Sequence, residues 1–326
     1  MACTGGVGWT GYIKVGSYVL PFLNADLVKV VEINPSESVI GGGYTNLIAS
    51  PSNPVWRDYI NFAIGKETVE GSIATEVFGG SGNYALAFKE MLRRTIGNDS
   101  DNGNDMSYVC DGFSDSTQLL FSPAGGSEIV LPETGKKALI TEMSINGNNG
   151  GNVGATFRIL SAGASWNTPP SVSTPTTGDL SFETAGLTDD SNPIPWYASN
   201  FTLSASAGET FDVTDYIMDY SISISNQANP LYFFNNINYP GDIFLGKRRV
   251  TGSFSYYSPN GQFAEFLTHG ASITITFGNI TLTLPFCAFS RGPVPNQGPN
   301  REVVRNQEFE SFAKSATEPS IYWTES

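Results

Sequence analysis

The residues best suited to chemistry are few in this 326-residue chain. It holds one histidine, His269, and three cysteines, Cys3, Cys110 and Cys287. Any hydrolytic triad would have to use His269, because a triad needs an imidazole base between nucleophile and acid. His269 stands beside Gly270 at the end of a short aromatic stretch, the place of a helix C-terminal cap. The cysteines lie far apart with no Cys-x-x-Cys pair, so neither a disulfide framework nor a zinc site has its spacing. Gly5-Gly-Val-Gly8 lacks the Gly-Lys-Ser/Thr ending of a phosphate loop and is an N-terminal arm. Asp99-Ser-Asp-Asn-Gly-Asn-Asp105 lacks the distal glutamate of a calcium loop. No Gly-x-Ser-x-Gly elbow occurs, and no carboxylate pair stands out for glycoside hydrolysis. Lys247-Arg248-Arg249 is the densest basic run, too small a footprint for a phosphate grip and better suited to a solvated face or a subunit contact. Tyr232-Phe-Phe234 and Tyr256-Tyr257 fit a core or an interface better than a carbohydrate platform. These residues point away from an enzyme, and they call for no cofactor or metal.

The elements that must carry these residues are strands. Charged residues make up only 15% of the chain, beside 35 glycines, 14 tyrosines and 21 phenylalanines. That balance fits a turn-rich β protein and not a helical bundle. The net charge of −14 excludes a protein whose task is to grip nucleic-acid phosphates, yet suits a surface that DNA slides past. No run of about 18 apolar residues exists to cross a membrane as a helix.

Three zones follow from composition: 1–163, a Pro/Ser/Thr-rich linker over 164–196, and 197–326. In the first zone, strands are expected at Gly11–Val15, Ser17–Leu23, Phe62–Ile73, Gln118–Phe121, Glu128–Leu131, Ala138–Ile145 and Val153–Ser161. One amphipathic helix is expected over Asn83–Ile96, with apolar residues at Tyr84, Phe88, Met91, Leu92 and Ile96. Asn83 is its expected N-cap, and Gly97 its terminating glycine. The acidic loop Asn98–Asp115 begins an insertion over about 98–127. In the third zone, strands are expected at Asp212–Ile224, Phe244–Tyr257, Ser272–Phe277 and Ile280–Leu284, with a short helix near Phe263–Leu267.

The chain also repeats itself. Ile64-Gly-Lys-Glu-Thr-Val-Glu-Gly-Ser-Ile73 aligns with Leu245-Gly-Lys-Arg-Arg-Val-Thr-Gly-Ser-Phe254. A helix pattern follows each copy, then a strand pair whose second strand ends in Leu-Pro, at Leu131-Pro132 and Leu284-Pro285. A tandem duplication is the simplest cause. Alternation puts Lys66, Thr68, Glu70 and Ser72 on one strand face, matched by Lys247, Arg249, Thr251 and Ser253. On the other face Glu67 stands where Arg248 stands, an opposite pair that could meet where unlike copies adjoin.

The segment from Leu245 to Ala313 resembles the tail tube proteins of long-tailed bacteriophages. The features that carry the likeness are the Gly-Lys-x-x-Val-x-Gly-Ser-Phe strand, the aromatic helix ending at Gly270, the Ile-Thr-Ile-Thr-Phe strand, the Leu284-Pro285 strand end, and Asn306-Gln-Glu-Phe-Glu-Ser-Phe-Ala313. The N-terminal copy shares the pattern more weakly. The resemblance implies a mainly β fold of two tandem tube-like β-sandwich or barrel domains, each flanked by one short helix. It implies a structural virion protein, not an enzyme, made in the host cytoplasm and located in the tail. Six such domains per ring are common in the family, so a tandem chain implies trimeric rings stacked around a channel. The implied partners are other copies, the tape measure, distal tail and terminator proteins, and viral DNA that passes without specific binding; no membrane is involved. Lys66, Glu67, Thr68, Glu70, Lys247, Arg248, Arg249 and Thr251 are the candidate interface or lumen-facing residues. The competing readings are a distal tail or baseplate ring protein of the same fold and a β-sandwich glycan-binding adhesin.

Overall fold

The computed structural model describes residues 12–36, 61–97, 112–114, 118–122, 128–167, 192–205, 210–212, 216–233, 238–257, 270–290, 304–314 and 318–325. The fold is mainly β. The N-terminal half contains β1 (Tyr12–Val15), β2 (Tyr18–Pro21), β3 (Asn24–Ser36), β4 (Asn61–Glu76), β5 (Phe78–Gly79), α1 (Asn83–Ile96), β6 (Leu119–Ser122), β7 (Glu128–Leu131), β8 (Ala138–Asn148), β9 (Gly154–Ser161) and β10 (Ser165–Asn167). The C-terminal half contains β11 (Asn192–Pro193), β12 (Ser199–Ala205), β13 (Thr210–Asp212), β14 (Ile217–Ser225), β15 (Ala228–Leu231), β16 (Asp242–Leu245), β17 (Arg249–Tyr257), β18 (Ala271–Phe277), β19 (Ile280–Phe289), β20 (Val304–Ser311) and β21 (Tyr322–Glu325).

The expected helix over Asn83–Ile96 is α1 with the same bounds. Its stripe buries Phe88, Met91, Leu92 and Ile96, with Phe88 edge-on to Phe157 of β9. Its start differs from expectation. Gly82 is the N-cap, and the Asn83 side chain instead accepts a hydrogen bond from the Val19 backbone N–H at 3.2 Å. Here a long-range contact outcompetes the local cap. Gly97 ends the helix at φ 118, a conformation glycine adopts without strain. The second helix, expected near Phe263–Leu267, lies outside the described residues, as do His269, Gly5–Gly8 and Asp99–Asp105.

The same succession of pairings occurs in each half. One five-stranded sheet runs β10-β7-β6-β1-β2, and β21-β19-β18-β12-β13 pair in the same order. A second run, β3-β4-β9-β8, matches β14-β17-β20-β19. Registers agree residue by residue. Gly71 faces Leu27 and Ile159, and Gly252 faces Ile222 and Phe309. A Cβ on Gly71 would lie 2.0 Å from the Asp26 carbonyl, and one on Gly252 would lie 2.5 Å from the Ser221 carbonyl. The repeated glycine is thus demanded by one close backbone approach in both places. Trp166 pairs with Ile129 and Trp323 with Leu282, each three residues before the repeated proline.

The halves differ at one strand. In the first, Pro132–Lys137 break the chain into β7 and β8; in the second, β19 runs through as one ten-residue strand. β8 pairs with β14, so both halves share a twelve-stranded sheet. The ends of the proline-rich segment are also built in. Ser165–Asn167 pair with β7, Asn192–Pro193 pair with β5, and Ile194 is buried.

Candidate assembly interface

The two halves meet along β8 and β14, whose register sets Ile145 opposite Ile222 and Met143 opposite Ile224. All four are buried in one core that spans both halves. The apolar alternation of each strand makes this possible, since residues two apart face the same side. At the end of this seam Asn226 is buried. Its amide donates to the carbonyls of Thr95 and Ile140, each at 3.1 Å, while its oxygen accepts from Arg248 Nε at 3.2 Å. A buried amide with all these partners fixes the register and leaves nothing unsatisfied.

A second seam joins α1 and the residues flanking it to the C-terminal strands. Asn279 accepts from the Gly80 N–H at 3.0 Å and donates to the Gly80 carbonyl at 3.2 Å. The Lys89 ammonium, buried, donates to the Gly80 carbonyl at 2.9 Å and pairs with Glu325. Trp323 Nε1 donates to the Gly97 carbonyl at 3.0 Å, supplying a partner at the helix C-terminus.

On both sides of the seam, the sheet face opposite the core carries polar rows. One row runs Thr156, Ser144, Ser223, Thr251, Glu310, and the next Asn146, Ser221, Ser253, Glu308. The arginines of this face are already paired, Arg249 with Glu310 at 2.9 Å and Arg158 with Glu142 at 3.5 Å. Asp26, Glu70, Asp219 and Glu308 add negative charge.

The eight candidate residues fall in several places. Thr68 and Glu70 lie on the polar face with Arg249 and Thr251, and the Thr68 hydroxyl donates to Glu70 at 3.3 Å. Lys66 sits 5.1 Å from the centre of the Tyr232 ring. Lys247 is exposed in the turn before β17. Glu67 pairs with Lys29 and accepts from the Asn238 amide at 2.8 Å, whereas Arg248 binds Asn226. Within one chain, then, Glu67 and Arg248 are engaged with other partners.

The β15–β16 hairpin is an interface element that none of the sequence patterns above marks. It springs from the second half and lies on the first. Ile243 joins Leu139, Leu160 and Ala162 in a separate buried cluster, with Ala228 and Leu245 against it. Asp242 pairs with Lys137 at 2.9 Å, and the Glu67 N–H donates to the Asn238 carbonyl at 2.7 Å. The Lys136 ammonium stands 3.1 Å from the centre of the Tyr239 ring. One signal was present: Asn229-Pro230 of the hairpin repeats Asn34-Pro35 of β3.

Among the described residues, no group of three or more His, Cys, Asp or Glu side chains is placed to hold a metal ion. A cavity of about 540 Å³ forms an open groove on the polar face of the second half, and its lining contains no histidine or cysteine. A protein-family model described as phage tail tube protein matches residues 38–311. The chain belongs to the phage tail tube protein family. As a tail tube protein it is a structural component of the phage tail, in a family that is not one of enzymes. No curated protein matches the chain.

Proposed function

We propose that the chain is a tandem pair of tube units, three chains of which close into a ring that stacks into a DNA-conducting tube. The observation that carries this reading is the β8–β14 seam. β14 holds in the second half the place that β3 holds in the first, since Gly252 and Gly71 face them in the same register. Among the described residues β3 pairs only with β4, so its other edge is open. It is thirteen residues long, with Val28 and Val30 exposed. A long open edge strand with exposed valines is a template for another chain. A strand from the second half of a neighbouring chain, set on β3, would repeat the seam that β8 makes with β14. Such a head-to-tail contact is heterologous and closes into a ring when its rotation divides a full turn. The family habit of six units gives three chains.

In this reading the polar face lines the channel. Hydroxyls and amides offer no fixed positive charge, the arginines are neutralised by partners, and the excess carboxylates repel phosphate. The chain assembles in the host cytoplasm and joins the tape measure, distal tail and terminator proteins at the ends of the tube. A distal ring of the same fold would close without stacking. The test is electron microscopy of purified protein at rising concentration. Hollow tubes built from threefold rings are expected; rings that never stack would move the chain to the distal tail.

A further inference from the structure

The repeat makes one more contact legible. In the first half the surface around Leu139, Leu160 and Ala162 is covered by the β15–β16 hairpin, leaving Leu139 4% and Ala162 2% exposed. Among the described residues, no such element covers the matching surface of the second half. The Ala162 N–H donates to the Lys137 carbonyl at 3.0 Å, and the Phe312 N–H donates to the Phe286 carbonyl at 2.8 Å. Ser161 pairs with Ala138, and Ser311 with Cys287. Phe286, Ala288 and Phe312 therefore stand where Lys137, Leu139 and Ala162 stand. Phe286 is 36% and Phe312 45% exposed, and Ala288 and Phe312 line the 540 Å³ groove.

The element that should cover them can also be identified by register. In the hairpin Ala228 pairs with Leu245 and Pro230 with Ile243. At the end of the β3–β4 ribbon Ile33 pairs with Ile64 and Pro35 with Phe62. Counted from the repeated glycines, Phe62 and Ile64 hold the positions of Ile243 and Leu245, and Asn34-Pro35 that of Asn229-Pro230. Within the chain the hairpin of the second half covers the first half, so the ribbon end of the first half has no preceding unit to cover.

We propose that the end of the β3–β4 ribbon of a second copy of this chain, Ile33–Ser36 with Asn61–Ile64, docks on the Phe286, Ala288 and Phe312 surface of its neighbour. The proposal rests on the ring reading above. It makes each junction a two-part contact, a strand seam plus a hairpin clasp, alike within and between chains. The clasp between chains is the more apolar, with phenylalanines at 62, 286 and 312 in place of Ile243, Lys137 and Ala162. Buried aromatic anchors of this kind dominate interface energetics.

The test uses assembled protein, either tubes grown from purified chain or tails isolated from particles. A Phe62→Cys, Ala288→Cys chain in a Cys3→Ser, Cys110→Ser background is treated with a short bis-maleimide. A Leu139→Cys, Ile243→Cys chain is the intramolecular control. Cross-linked dimers and closed trimers, absent from either single-cysteine chain, are expected. Rings by microscopy without chain-to-chain cross-links, while the control links, would overturn the clasp and leave the ring reading standing. Protein that forms neither rings nor tubes under any condition overturns both. Phe312→Ala provides a second readout, since its ring is already partly exposed and the monomer should fold. It should raise the concentration needed for assembly roughly tenfold or more; an unchanged assembly concentration overturns the proposal.

Discussion

The two halves solve the same layout with different strands. In the first, Pro132–Lys137 interrupt the chain, so β7 and β8 belong to separate sheets. In the second, β19 passes from one sheet to the other without a break and fuses them. The halves differ again at their surfaces, where one carries a hairpin over Leu139 and Ala162 and the other exposes Phe286 and Phe312. Conserved registers beside a changed junction teach that the pairing pattern is what must be kept.

The largest stability losses are expected at the two repeated glycines. Gly71→Ala and Gly252→Ala each force a Cβ against a cross-strand carbonyl, at 2.0 and 2.5 Å. Each should cost about 1–3 kcal/mol, with Gly71 the worse. Denaturant unfolding of the two variants reads this directly, and a neutral Gly71→Ala would show that the matched registers do not constrain the backbone.

Asn226 sharpens the contrast, because Val31 stands at its place in the first half. Asn226→Val leaves the Thr95 and Ile140 carbonyls and Arg248 without that amide, at about 1–3 kcal/mol. Val31→Asn, at the open edge of the sheet, should change thermal stability by less than about 0.5 kcal/mol.

The Glu90 site tests α1, which ties the first half together. Burial raises the Glu90 pKa, but hydrogen bonds from Arg93 and Arg94 outweigh it and leave it lowered. A lowered folded pKa gives stability that is present above the unfolded value and lost as pH falls through the folded one. Glu90→Gln should therefore cost about 1 kcal/mol at neutral pH and less below about pH 4. Melting curves across pH 2–7 would show the wild-type and variant stabilities converge in acid.

The smallest stability effect is expected at the β3 edge. Val28→Lys and Val30→Lys, both at exposed positions, should leave the monomer within about 0.5 kcal/mol of wild type. They should nonetheless suppress assembly, since edge lysines block strand addition. Assembly at the wild-type concentration would remove β3 from the interface.

Much of this architecture could be read from residue order. The period of Tyr84 to Ile96 gave α1 to the residue, and the Gly-Lys-x-x-Val-x-Gly-Ser repeat located β4 and β17. Alternation in Ile273–Phe277 and Ile280–Leu284 marked β18 and β19, although β19 runs on to Phe289 through Pro285. What escaped was set by distant partners. Asn83 looked like a cap because caps are local, but its partner Val19 is 64 residues away. Asn226 and Asn279 carry no pattern of their own, and their roles come from carbonyls in the other half. Alternation that continues across Gly246 merges β16 of the hairpin with β17 into one apparent strand, Phe244–Tyr257. Cys287 was one of three scattered cysteines. Its burial, which pushes the thiol up to about 12, makes it a core residue and not a reactive one.

Cryo-electron microscopy of the assembled tube, reconstructed without imposed symmetry, decides whether one chain fills two equivalent places in the ring wall. Rings of three chains and six similar wall units are expected, with β3 of each chain paired to its neighbour as β14 pairs with β8. Rings of six chains, or three chains joined without pairing at β3, would contradict that arrangement.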